Sequence, residues 1–121
     1  MQSATTWVLV ARQGCARLFE AGVGKAPRPL ILRRQLTRGA ESEDGQRQDG
    51  LGFARDLGAL LDRACRAGSF SRLVLVAPPQ VLSDLRAALD AQVRKLVVAE
   101  VDKDLSQLSP NELPGHLAAV V

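Results

Sequence analysis

Tyrosine is absent from this chain of 121 residues; tryptophan occurs once and phenylalanine three times. Proteins that hold single-stranded nucleic acid commonly stack bases on aromatic side chains, so a platform of that kind is excluded. The two cysteines, Cys15 and Cys65, stand far apart and match neither a metal-ligand spacing nor a Cys-x-x-Cys pair. They read as reduced, partly buried thiols of a cytoplasmic protein. The one histidine, His116, has no cysteine near it, and nothing identifies a nucleophile for it to serve, so it reads as a surface or packing residue. No Gly-x-Gly-x-x-Gly or Walker sequence follows a strand, so no phosphate cradle and no cofactor is expected. No apolar run reaches membrane length, and residues 1–6 carry no basic side chain; neither a membrane span nor a secretory signal is expected.

What is present is 46% apolar content, enough for one core and a single domain over residues 1–121. Leu73–Ala77 is apolar at every position, as expected of a strand inside a sheet covered on both faces. Pro78 cannot extend a ladder and Pro79 suits the first turn of a helix; from there Leu82, Leu85 and Leu89 recur at helical spacing. Upstream, Trp7–Ala11 and Cys15–Glu20 read as strands joined through Arg12-Gln13-Gly14, a hairpin link. After a turn marked by Gly22, Gly24, Pro27 and Pro29, Leu30–Leu36 reads as a third strand. Its doublet Arg33-Arg34 would place one arginine on each face, a sign of an edge. Phe53, Leu57, Leu60, Leu61 and Ala64 form the stripe of a first helix, with Asp49 as its cap, Gly58 packing close to the sheet and Gly68 as its stop. Leu96–Val101 is a fifth strand. Ser109-Pro110-Asn111-Glu112 has the form of a capping box and opens a short last helix carrying Leu113, Leu117 and Val120.

The order β-β-β-α-β-α-β-α predicts a three-layer α/β/α domain with a mixed five-stranded sheet. That order is found in ribonuclease-H-like folds and implies the strand order 3-2-1-4-5, with parallel crossover units. Ribonuclease-H chemistry needs carboxylates that hold two metal ions, one of them on the first strand. Trp7–Ala11 has no acid and Leu73–Ala77 has none, so the fold is expected without the nuclease. Asp102-Lys103-Asp104 stands at the carboxyl end of the fifth strand, where open sheets place ligand sites, but its expected work is local turn capping and pairing; no metal is expected.

The net charge of +3 is unevenly spread. Residues 12–38 hold seven basic side chains (Arg12, Arg17, Lys25, Arg28, Arg33, Arg34 and Arg38) against Glu20 alone. Residues 37–50 lack β-branched apolar and aromatic side chains, hold three glycines and read as a long flexible loop, either functional or only disordered. The candidate contacts for a nucleic acid or protein partner are Arg12, Arg17, Arg33, Arg34, Arg38, Gln46 and Arg47. The acids of the loop would repel phosphate, which tilts the expectation toward a protein partner over ribosomal or transfer RNA. Open edge strands also admit a homo-oligomer without specifying one.

Several blocks resemble one bacterial family. Trp7-Val8-Leu9-Val10-Ala11 with Ala16-Arg17-Leu18-Phe19, then Phe53-Ala54-Arg55-Asp56-Leu57, then Phe70 through Pro79, then Val97 through Leu105, and finally Leu108-Ser109-Pro110-Asn111-Glu112-Leu113 are similar, in order, to the family of proteins required for attachment to host cells. That family is similar in turn to the middle domain of the class-1 peptide chain release factors of eukaryotes and archaea. The resemblance implies a ribonuclease-H-like topology, in agreement with the element order. It also implies a link to translation termination or rescue, in which a Gly-Gly-Gln tip after the third strand helps water attack peptidyl-tRNA. Here Asp44-Gly45-Gln46 stands in the corresponding loop, with one glycine where the motif has two. The expectation is therefore a non-enzymatic interaction domain. An RNA- or ribosome-binding protein and a hydrolase of peptidyl-tRNA or another ester, acting through the 37–50 loop, are its alternatives.

Overall fold

The computed structural model describes residues 5–22, 28–37 and 50–118. Its elements run β1 (Thr6–Arg12), β2 (Cys15–Ala21), β3 (Leu30–Thr37), α1 (Gly50–Arg66), β4 (Arg72–Val76), α2 (Pro79–Ala88), α3 (Ala91–Leu96), β5 (Val97–Val101) and α4 (Leu113–His116). The sheet order is β3-β2-β1-β4-β5. The hairpin strands β1, β2 and β3 pair antiparallel, and β4 joins β1 and β5 in parallel. This is the mixed, open sheet of a three-layer ribonuclease-H-like topology. β1 takes the middle position and β4 the interior position beside it, with Leu73, Val74, Leu75 and Val76 all buried.

Strand alternation divides the sheet into two faces. Leu9, Ala11, Ala16, Leu18, Leu73 and Leu75 point to one, where α1, α2 and α3 cover them with Phe53, Leu57, Leu61, Leu82, Leu85 and Val93. Val8, Val10, Phe19, Val74 and Val76 point to the other, which is closed by Leu105, Leu113 and Leu117 of the C-terminal segment. Each fully buried aliphatic or aromatic side chain here contributes about 1.5–3 kcal/mol. The second layer is thin: a loop and the four-residue α4 do the work that three helices do on the first face.

Local signals hold at the ends of elements. Gly68 adopts φ 74°, its N–H bonds to the Cys65 carbonyl and the Ser69 N–H to the Ala64 carbonyl, which is a Schellman stop for α1. Ser109 and Glu112 bond reciprocally: the Ser109 N–H reaches Glu112 Oε1 at 2.8 Å and the Glu112 N–H reaches Ser109 Oγ at 3.3 Å. The expected capping box is formed, although the regular helix begins only at Leu113.

Three expectations change. Leu96 closes an extra helix, α3, so β5 begins at Val97; Asp90 caps α3 by accepting from the Ala91 N–H at 2.6 Å. Gly58 packs against α2, not against the sheet: a Cβ there would stand 2.6 Å from the Ala88 carbonyl oxygen. The Arg33-Arg34 doublet does not straddle the sheet. Leu18 pairs with Arg34 while Phe19 pairs with Leu32, so Arg33 is the extra residue of a bulge, and alternation is reset there. The Asp49 cap, Lys25, Val120 and the 38–49 part of the loop lie outside the described residues.

Candidate partner-binding groove

β1 ends at Arg12 and β2 begins at Cys15, two residues that pair across the hairpin. Next to them Arg17 pairs with Gln35 of the edge strand β3. Their side chains fall on the face closed by the C-terminal segment, since Arg12 stands two residues beyond Val10, and Arg17 two before Phe19, on the same face of each strand. Where that segment leaves β5, residues 104–110 run over this corner. A groove of about 400 Å³ remains between them, lined by Arg12, Cys15, Arg17, Leu32 and Gln35 from the sheet and by Ser106, Gln107 and Pro110 from the segment.

The four arginine candidates within the described residues have different circumstances. Arg17 is half-buried; its Nη2 donates to the carbonyls of Ser106 at 2.9 Å and Leu108 at 2.6 Å, and its guanidinium lies 5.3 Å from the centre of the Phe19 ring. It therefore clamps the C-terminal segment to β2. Arg33 donates from Nε to Glu20 Oε1 at 2.9 Å and pairs through Nη2 with the same oxygen at 2.7 Å. Arg12 and Arg34 are exposed and have no hydrogen-bond or ion-pair partner among the described residues. Leu18, the partner of Arg34, faces the α1 and α2 layer, so Arg34 belongs to the opposite side of the sheet from Arg12. Arg28 lies outside the groove, its Nη2 donating to Thr6 Oγ1 at 3.2 Å. The remaining candidates, Arg38, Gln46 and Arg47, lie outside the described residues.

The basic stretch of the sequence is thus split by the sheet into two sides. On the groove side the electrostatics are mixed. Asp104 lies beyond β5, and its carboxyl is held below the usual aspartate range, chiefly by the Ser106 hydroxyl, then by the Ser106 N–H, with a smaller push from Arg12. Its Oδ1 accepts the Ser106 N–H at 3.0 Å, a local turn bond of the kind expected for this carboxylate. Among the described residues no group of three or more His, Cys, Asp or Glu side chains is arranged to hold a metal ion. His116 is exposed in α4, and Cys15 and Cys65 are free thiols of intermediate burial. No described helix is long and apolar enough to cross a membrane.

The sequence pointed to Arg12 and Arg17 as contacts, but not to Gln35, Ser106 and Gln107, which complete the groove. Polar residues at an edge strand and in a loop carry no pattern of their own; only the return of the segment over β2 brings them together.

The arrangement of elements is shared with known structures. An archaeal protein superposes with a TM-score of 0.57 at 17% identity, over 88% of this chain and 32% of its own. An archaeal translation termination factor superposes with a TM-score of 0.51 at 14% identity, over 95% of this chain and 37% of its own. This chain therefore spans about a third of the length of each, and at such identities the likeness is one of fold. No curated protein matches the chain in sequence. The model of one family, described as protein required for attachment to host cells, matches residues 32–117, from the edge strand that borders the groove to the α4 segment that closes the face beneath it. Fold, element order and this match agree: the chain belongs to the family of proteins required for attachment to host cells.

Proposed function

We propose that this chain is a non-catalytic interaction module, and that its groove between β2, β3 and the 104–110 segment receives a protein partner. The supporting observation is the engagement of its arginines. Phosphate-binding surfaces work by presenting several free cations to a polyanion. Here Arg17 is held by two backbone carbonyls and Arg33 by Glu20, while Arg12 and Arg34 sit on opposite sides of the sheet. Such a surface suits mixed polar and apolar contact, which Leu32, Gln35 and Gln107 supply beside Arg12.

The competing reading takes its support from the archaeal termination factor of similar fold: a translation-associated role with Arg12 and Arg34 on ribosomal or transfer RNA. Binding to ribosomes and bulk tRNA across a salt series separates the two, with Arg12→Glu and Arg34→Glu measured in parallel. The protein-partner reading expects no RNA binding that falls steeply with salt and none that the substitutions abolish. Steep salt dependence lost in the variants would replace it with the RNA reading. For the non-catalytic part, turnover of peptidyl-tRNA or a model ester by the purified chain, abolished by Gln46→Ala, is the result that overturns it.

A further inference from the structure

A second concavity lies at the other edge of the sheet, between α2, α3 and β5, and it is distinct from the groove. It encloses about 440 Å³, within the span of about 300–1,000 Å³ found for pockets that hold small organic ligands. Ala87, Leu89 and Val97 give it an apolar floor, and Arg86, Arg94 and Glu100 stand around it. Both guanidinium groups are held in place by the protein. Arg86 donates from Nε to Glu100 Oε1 at 2.8 Å, and its Nη2 pairs with the same oxygen. Arg94 donates from Nη2 to the carbonyl of Arg86 in the last turn of α2, at 3.0 Å, and so caps that helix from outside.

Glu100 neutralises one of the two guanidinium groups and leaves the other as the excess cation. Asp102 lies close enough to act on Arg86 as well, Lys95 follows Arg94 in the last turn of α3, and Asp90 at the start of α3 accepts the Ala91 N–H, so among the charged residues that line the cleft two arginines face one glutamate. An arginine has five N–H donors, and Arg94 spends only Nη2 on the carbonyl among the described residues. The rest of its planar fork matches a carboxylate. A cation already fixed by a backbone bond loses little freedom when a ligand arrives.

We propose that this cleft binds a small amphipathic monoanion: a carboxylate that meets Arg94, carried on a short aliphatic or aromatic body that covers Ala87, Leu89 and Val97. Charge alone would hold acetate as well as a longer acid. Apolar area alone would hold the neutral amide as well as the acid. The cleft combines the two and so discriminates against both.

The test is ligand-observed NMR and calorimetry on the full chain with 4-phenylbutyrate, its primary amide and acetate. Expected is saturable binding of 4-phenylbutyrate, with the amide and acetate each weaker by about tenfold or more, a discrimination worth one decade in Kd. Arg94→Gln should weaken the acid about fivefold to tenfold, and Glu100→Gln should tighten it about threefold, because the two changes move the local charge in opposite directions. Ala87→Phe, at an exposed position of α2, fills the floor and should abolish binding without disturbing the core. Arg55→Gln, exposed on α1 and outside the lining of the cleft, should leave it unchanged. Circular dichroism checks that each variant is folded; Arg94→Lys, which keeps the charge without the fork, serves if Arg94→Gln is not, and should bind between the parent and Ala87→Phe. Equal affinity for acid and amide, insensitivity to Arg94→Gln, or no binding of any probe at millimolar concentration overturns the proposal.

Discussion

Replacing Arg17 by methionine retains most of the apolar stem and deletes the guanidinium that joins β2 to the C-terminal segment. The parent side chain donates to the carbonyls of Ser106 and Leu108 and rests on Phe19. A hydrogen bond from a charged donor is worth about 1.5–3 kcal/mol and the cation–π contact about 0.5–1 kcal/mol. The two carbonyls recover water when the segment loosens, so the expected loss is about 2–3 kcal/mol, below the simple sum. Against a total stability of about 5–15 kcal/mol that is a large share, visible as a fall in Tm of about 10 °C. Urea denaturation measures it, and a cycle with Phe19→Leu should isolate a coupling of about 0.5–1 kcal/mol for the ring contact. The effect should also be local. Amide exchange at Leu108 and Leu117, whose N–H groups bond within the segment, should accelerate more than exchange at β1 and β4, because the segment covers its face of the sheet as a separate thin layer. A variant within about 0.5 kcal/mol of the parent, with unchanged exchange in residues 105–118, would refute the clamp.

The α1–α2 contact makes Gly58→Ala destabilising by about 2 kcal/mol, opposite in sign to helix propensity, since the new Cβ meets a backbone carbonyl that cannot swing aside; thermal denaturation reads the sign directly. Glu112 is held below its usual pKa, chiefly by the Ser109 N–H and then by the Ser109 hydroxyl. A carboxyl depressed in the folded state stabilises above its unfolded pKa and loses that contribution as pH falls through its folded value. Glu112→Gln should therefore lower stability at neutral pH and flatten its decline on acidification, as followed by denaturation at stepped pH. Glu20→Ala releases Arg33 from its exposed pair and should change stability by less than about 1 kcal/mol; a larger loss in urea titration would show that the bulge depends on the pair.

The edge strand shows where legibility in the sequence stops. Leu30–Leu36 is recognisable as a strand, and its arginines mark it as an edge. One inserted residue at Arg33 then changes which face each later side chain takes, and nothing local in Leu-Arg-Arg-Gln announces the insertion. Similarly, α3 is six residues long, too short for its single buried Val93 to build a visible period, and it hides within the approach to β5. Gly58 stands out as a glycine inside a helix, yet its neighbour, Ala88, is thirty positions away and belongs to another helix.

Composition and periodicity by themselves determined the five strands, the helices other than α3, the capping box at Ser109 and the stop at Gly68, and the order of these elements, compared with ribonuclease-H-like folds, gave the strand order 3-2-1-4-5. These rest on interactions within a few residues or on the alternation of a whole segment. Only the tertiary structure decided what each arginine does. Arg12, Arg17, Arg33 and Arg34 look alike in the sequence; one is tied to carbonyls 89 and 91 positions away, one to Glu20, and the other two lie on opposite sides of the sheet. The physical reason is that a charged side chain takes its role from the acceptors that folding brings within about 3 Å of it, and those acceptors come from strand register and chain return.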